Sequence, residues 1–405
     1  MLYRLEIENF YSIRERQVID LRPMTPIDDV DGRFSPLWRG TKDRAPKTIA
    51  IFGANASGKS TVLKALSFIV QFALHSFSSA ANSRIMLDRF NDEEAFGLPC
   101  RLAIEIAGIA DITHIENPQA AQCRYRYEIE IGGLRTEAAH VLREALHYWP
   151  PPNDKKVTLF DRDVSGSVKT TKAFGFAGFR GVIQKVLRPN ASLISTLFQL
   201  KHPYATAIWQ LGSQVYGNIF IERTETADAD LAGYYAGNQN HLGWLNREIS
   251  RIDLGIQQVD VLATSRGHEM QFHHEGLAVP MPLYLESQGT KSFLKIYPIL
   301  AQVLEFGGIA MIDELDASIH PAILPEILRW FHASDRNPHN AQLWMTCHNA
   351  SLLDFLTKDE VLFCEKDKSG RSYVYKLSEF VDVSSDDNFY SKYLSGAYGA
   401  LPNLG

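Results

Sequence analysis

Gly53-Ala54-Asn55-Ala56-Ser57-Gly58-Lys59-Ser60 spells GxxxxGK[ST], with Thr61 directly after it. Glycines at both ends let the backbone curl so that successive N–H groups face an anion, and a helix starting there adds partial positive charge. Lys59 has the charge and reach to neutralise β- and γ-phosphate oxygens, and the Ser60 hydroxyl can coordinate Mg2+. The motif also has the context it needs. Thr48–Phe52 is a short apolar run of buried-strand type before it, and a helical period runs from Val62 to about Phe77 after it. The chemistry expected is nucleotide binding through the phosphates.

A second group of candidates lies far along the chain. Gly308-Ile-Ala-Met-Ile-Asp313-Glu314 is an apolar strand that ends in two carboxylates, the layout of a Walker B element. Asp313 can hold Mg2+ through water, and Glu314 can polarise an attacking water as general base. The same run would also fit a plain strand leading into a helix cap, a reading that Lys59 upstream makes the lesser one. Glu286-Ser287-Gln288-Gly289-Thr290 sets a hydroxyl and free N–H groups at a helix start, which suits an anion or an ordinary N-cap equally. His348 stands at the tip of the strand Gln342–Thr346, where a histidine can reach a γ-phosphate.

The elements that must position these residues alternate strand and helix at both ends of the chain, so the fold class expected is α/β with a mixed sheet. N-terminal antiparallel strands are expected at Leu5–Phe10 and Val18–Leu21, with loop over 22–47 and strands at Leu102–Ile106 and Tyr125–Ile131. Residues 1–159 read as the N-terminal half of the core, 160–255 as an inserted, mostly helical arm or lid, and 256–405 as the C-terminal half. The 405 residues are 45% hydrophobic and carry 41 Lys+Arg against 47 Asp+Glu, a net charge of −6. That excludes a strongly basic nucleic-acid wrapper but leaves room for a local basic groove. No window approaches the roughly 18 uninterrupted apolar residues of a membrane span, and Met1 to Glu8 carries charge where a signal peptide needs an apolar stretch, so none is expected. No membrane partner is expected, and the location expected is cytoplasmic. Cys100, Cys123, Cys347 and Cys364 form no CxxC pair, so neither a disulfide framework nor a zinc site is indicated.

In their order along the chain, the phosphate loop, Ser287-Gln288-Gly289, Asp313-Glu314, Leu315-Asp316 as D-loop and His348 as switch histidine resemble the ABC/SMC class of P-loop ATPases. The resemblance implies ATP and Mg2+ as cofactors, with Gly53 to Thr61 on the nucleotide, Ser60 and Asp313 on the metal, and Glu314, Asp316 and His348 as the catalytic set. It also implies a homodimer or higher oligomer, in which ATP on Lys59 of one copy is completed by Ser287 and Gly289 of another.

Three features look like one branch, the AAA-family ATP-binding proteins of OLD/RloA type found in bacterial anti-phage operons. They are the start Leu5-Glu-Ile-Glu-Asn-Phe10, the run from Asp313 to Pro321 in place of a transporter's D-E-P-T, and the tail Tyr393–Pro402. That branch implies a molecular switch that controls a separately encoded effector, a nuclease or toxin. The 57 residues after His348 are too few for the Toprim nuclease of OLD proteins. No Q-loop glutamine is found, since Gln71 falls on the helix after the phosphate loop. The alternative is a RecF/SMC-like DNA-repair or DNA-end-binding ATPase with DNA as cargo, and a DNA or RNA contact is left open among the partners.

Three further groups read as structural. Lys169 to Arg180 interleaves basic and aromatic residues, a pattern for nucleic-acid contact or for a solvated loop with its aromatics folded in. His268-Glu269-Met-Gln-Phe-His273-His274 is one residue too long for HExxH and alternates like a strand. Cys347 and His348, adjacent at a strand end, point in opposite directions and form no nucleophilic dyad.

Overall fold

The run Thr48–Phe52 offers no polar face, and all five residues are buried inside a six-stranded sheet. In this computed structural model the described residues are 1–402 except 26–28, 30, 118, 134–137, 220–227, 253, 254, 266, 318 and 385. The sheet runs in the order Val215–Gly217, Ile309–Ile312, Gln342–Thr346, Thr48–Phe52, Val361–Lys366, Ser372–Lys376. Its first five strands are parallel, and Ser372–Lys376 closes the edge as an antiparallel hairpin partner. A strand from the first sixty residues therefore lies between strands drawn from beyond residue 300.

A seven-stranded antiparallel sheet stands beside it, in the order Val168–Thr170, Val157–Arg162, His140–Trp149, Gln122–Gly132, Cys100–Ile109, Leu2–Glu8, Gln17–Asp20. Helix Lys59–His75 lies between the two sheets. Ile49 and Ile51 face it from the first, and Leu5, Ile104 and Tyr127 belong to the same core from the second. The helix and the residues just after it, Lys59–Ser78, are long and apolar enough to cross a bilayer, yet 67% of that apolar window is buried in this core. Ala50 and Phe52, one residue out of phase, face the opposite core, built with helices Gln239–Ile252, Gln288–Phe306 and Leu324–His332. Period-2 alternation thus gives the phosphate-loop strand helices on both faces.

The described residues of 160–255, expected as an inserted arm, do not stand off from these cores. Strand Val157–Arg162 crosses the expected boundary, and Val215–Gly217 is an edge strand of the six-stranded sheet. The helices of this segment divide between the two cores, because each has an apolar stripe to bury. Leu193, Leu197 and Ala205 join the core around helix Lys59–His75, and Leu231, Tyr235, Leu245 and Ile249 join the opposite one.

Strand Leu2–Glu8 buries Leu5 and Ile7 as its alternation requires, but Glu6 is buried as well, at 6% exposure. Arg126 grips it with two hydrogen bonds of 2.8 and 2.9 Å, and Arg16 and Arg4 add bonds of 2.7 and 2.8 Å. Burial alone would raise the pKa of Glu6, but these donors outweigh it and bring the carboxyl down from 4.5 to about 2. A depressed carboxylate adds stability that is complete above its unfolded pKa and lost as pH falls through its folded pKa. The urea midpoint should therefore drop as pH falls from about 4.5 to about 2. Glu6→Gln should flatten that slope; an unchanged slope in the variant would remove Glu6 from the account.

Candidate nucleotide site

The turn out of strand Thr48–Phe52 requires glycine at two places. Gly53 has φ +145°, and a Cβ there would lie 2.2 Å from the Cys364 carbonyl oxygen. Gly58 has φ +112°, and a Cβ there would meet the Ser372 side chain at 2.5 Å. Gly58 also caps helix Lys59–His75 without a side-chain bond, so the first N–H groups of the helix are left for the cleft in front of it. The Lys59 ammonium donates to the carbonyls of Gly53 at 2.8 Å and Ala54 at 2.9 Å, and is only 5% exposed. Burial pulls its pKa down, while Cys364, Asp313, Asp316 and Glu314 act in the opposite sense.

Asp313, at the end of strand Ile309–Ile312, meets this loop directly. Its Oδ1 accepts from the Ser60 hydroxyl at 2.9 Å and from the Thr346 hydroxyl at 2.6 Å. Thr346 in turn accepts from the Glu314 amide at 2.7 Å. Asn218 clamps Asp313 from the other side, its Oδ1 accepting from the Asp313 N–H at 2.7 Å and its Nδ2 donating to the Asp313 carbonyl at 3.0 Å. Glu314 adopts φ +54°, the left-handed region that a non-glycine residue enters at a cost, and its side chain is exposed in the cleft.

The cleft, about 660 Å³, is lined by Ser12, Asn55, Ala56, Ser57, Gly58, Lys59, Ser60, Thr61, Glu314, Thr346, His348 and Lys366. Of the other expected residues, Gly53 and Ala54 lie behind the loop as carbonyl partners of Lys59. Asp316 does not line the cleft. Its Oδ2 accepts from the N–H groups of His348 at 2.8 Å and Asn349 at 2.6 Å, so it holds the turn that carries His348. Ser287 caps helix Gln288–Phe306 by accepting from the Thr290 amide at 3.1 Å, and neither it nor Gly289 lines the cleft of its own chain.

A hard-oxygen pair, the Ser60 hydroxyl and the Asp313 carboxylate, suits Mg2+, which takes few protein ligands beside phosphate and water. Among the described residues no group of three His, Cys, Asp or Glu could hold a metal by itself. The histidines of 268–274 are engaged elsewhere: His273 bonds Asp260 at 2.8 Å and His274 bonds Glu286 at 2.7 Å. Cys347 is buried, and burial raises its pKa, so it stays a thiol. Phe174 and Phe176 are folded into the core, with Phe174 4.4 Å from the His202 ring, so the aromatics of the 169–180 loop are not free to stack on bases.

Thr346, Asn218, Ser12, Ser372 and Lys366 are site residues that sequence reasoning misses. Thr346 had a readable signal, a hydroxyl at the strand tip two positions before His348. Asn218 had none, because only the parallel register of Val215–Gly217 on Ile309–Met311 sets it beside Asp313. Asn218→Ala should lower the unfolding free energy by about 1–3 kcal/mol by leaving the Asp313 N–H without its acceptor. Urea denaturation measures this, and a wild-type midpoint would show the clamp to be dispensable.

Two sequence families match the chain. One, described as an AAA domain, covers residues 4–131. The other, described as "AAA domain, putative AbiEii toxin, Type IV TA system", covers residues 199–354. No curated protein matches. Solved structures that resemble the chain include the SMC head domain from Thermotoga maritima, 13% identical, covering 93% of this chain and 98% of that one at a TM-score of 0.39. An Smc head domain with an extended coiled coil, bound to the C-terminal domain of ScpA, from Pyrococcus furiosus is 13% identical, with 93% and 96% covered and a TM-score of 0.43. One with a coiled coil and joint from Pyrococcus yayanosii is 10% identical, with 98% and 100% covered and a TM-score of 0.45. The first matched segment holds the phosphate loop, and the second holds Asn218, Asp313, Glu314, Thr346 and His348, so one cleft draws on two segments that each match a family described as an AAA domain.

Proposed function

We propose that this ATPase hydrolyses ATP to ADP and phosphate as an oligomeric molecular switch of a bacterial anti-phage system, controlling a separately encoded effector in the cytoplasm. The observation that carries the ATPase chemistry is the shared oxygen of Asp313, bonded by Ser60 of the phosphate loop and by Thr346 of the neighbouring strand. Ser60 and Asp313 would hold Mg2+ there, and its charge would offset that of the β- and γ-phosphate oxygens. Lys59 binds the same oxygens once its hydrogen bonds turn from the loop carbonyls to phosphate. Glu314 holds the attacking water and takes its proton, and His348 donates to the γ-phosphate.

An oligomer is supported by what one chain leaves open. Ser287 and Gly289 lie outside the cleft of their own chain, and next to them Tyr284 and Leu285 are 70% and 55% exposed. In a head-to-tail homodimer that face covers the partner copy's cleft, and Ser287 donates to its γ-phosphate. The description of the second family, an AbiEii toxin of a type IV toxin–antitoxin system, supports the defence role.

Glu314→Gln should slow ATP hydrolysis by about 100-fold or more while ATP stays bound, and the native mass with ATP should rise to that of a dimer. Lys59→Ala should lose ATP binding. Hydrolysis at the wild-type rate by Glu314→Gln would remove Glu314 as the base, and a monomeric mass in saturating ATP would remove the shared site.

A second reading, a RecF/SMC-like ATPase that binds DNA, is favoured by one observation. Lys169, Lys172, Arg180 and Lys185 are exposed within one stretch of the chain. Duplex binding that weakens steeply with salt and requires these four residues would select it.

A further inference from the structure

We propose that Lys366 contacts the nucleotide directly and grips its α-phosphate, the anionic group next to the nucleoside. The assignment rests on the nucleotide reading above and extends it to the end of the ligand that no expected cationic side chain serves.

The sheet order supplies the direction. The phosphate-loop strand Thr48–Phe52 has Gln342–Thr346 on one side, with Ile309–Ile312 beyond it, and Val361–Lys366 on the other. Thr346, His348, Asp313 and Glu314 all rise from the first side, where Ser60 and Asp313 meet at 2.9 Å. The metal and the γ-phosphate belong there. A triphosphate laid over the start of helix Lys59–His75 then has its nucleoside end toward the second side. Among the described residues, Lys366 and Ser12 line the cleft from that side. Ser12 is fixed by Ser372, whose amide donates to its carbonyl at 2.7 Å and whose hydroxyl bonds its own at 2.8 Å.

Register and alternation bring Lys366 to the phosphates. Phe363 pairs with Phe52, and the Cys364 carbonyl presses on Gly53, so the strand runs alongside the phosphate loop for its last residues. Glu365 accepts from the Tyr375 hydroxyl at 3.2 Å, and Lys366, one residue on, takes the opposite face, which is the cleft.

The Lys366 ammonium is also uncommitted. Among the described residues it makes no ion pair or hydrogen bond, although two acids flank it. Glu365 is held by Tyr375, and Asp367 accepts from the amides of Ser369 and Arg371 at 2.8 and 2.9 Å. A free cation in a phosphate cleft, opposite the metal pair and beyond the reach expected of Lys59, fits the phosphate whose charge neither of them offsets.

The test is equilibrium binding of ATP, ADP and inorganic pyrophosphate, each with Mg2+, to the full chain and to Lys366→Ala and Lys366→Arg. Losing one charge-assisted hydrogen bond should weaken ATP and ADP by about 10-fold or more. The factor should be the same for both, and pyrophosphate affinity should be unchanged. Lys366→Arg should stay within a few-fold of wild type. Weakening of ATP alone would move Lys366 to the γ-phosphate and overturn the assignment, as would wild-type affinities throughout. If the unaltered chain binds none of the three, the nucleotide reading itself falls. A thermal melt of each variant separates loss of contact from loss of fold.

Discussion

One carboxylate oxygen holds the candidate site together. Asp313 Oδ1 is shared by a hydroxyl at the start of helix Lys59–His75 and by a hydroxyl at the tip of strand Gln342–Thr346, at 2.9 and 2.6 Å. The backbone of the same residue is clamped by Asn218. Three stretches of chain, at residues 60, 218 and 346, therefore converge on one residue of a fourth. Each partner lies in, or directly beside, a strand or a helix, so the convergence depends on the parallel sheet rather than on loop packing. That is the arrangement expected where catalytic groups must be held to a fraction of an ångström.

The two cores make the sheet a rigid base for this. Ile49 and Ile51 point into one and Ala50 and Phe52 into the other. No residue of the phosphate-loop strand is left to solvent, and the loop can only leave along the strand axis. Close contacts at Gly53 and Gly58 then decide how it leaves. The Cys364 carbonyl and the Ser372 side chain occupy the space where any larger residue would put its Cβ. The glycines of the motif are thus set by neighbours from the far end of the chain as well as by a phosphate.

Legibility of the sequence followed the range of each interaction. The strand, loop and helix around Lys59 are local, and so is the apolar run ending at Asp313, and both could be read from consecutive residues. Asn218 could not, since nothing near it in sequence says that its strand pairs with Ile309–Ile312. Helix Asp228–Gly237 went unread because Gly233 and Gly237 dilute its helical pattern, though Leu231 and Tyr235 are buried. Glu6 broke the alternation of its strand because three arginines, from residues 4, 16 and 126, satisfy it inside. The other helices of 160–255 were legible one by one. Which face of which sheet they cover was not, because a stripe of apolar residues tells a helix to bury itself without saying against what.

Asn218 follows directly on the edge strand Val215–Gly217, which among the described residues pairs with one neighbour, Ile309–Ile312. An edge strand is the member of a sheet most easily pried loose, since one row of backbone hydrogen bonds secures it. The amide clamp converts that weak margin into a mechanical linkage. Any force that peels the edge must either rupture two side-chain hydrogen bonds or drag Asp313 along, and with it the geometry seen by the phosphates.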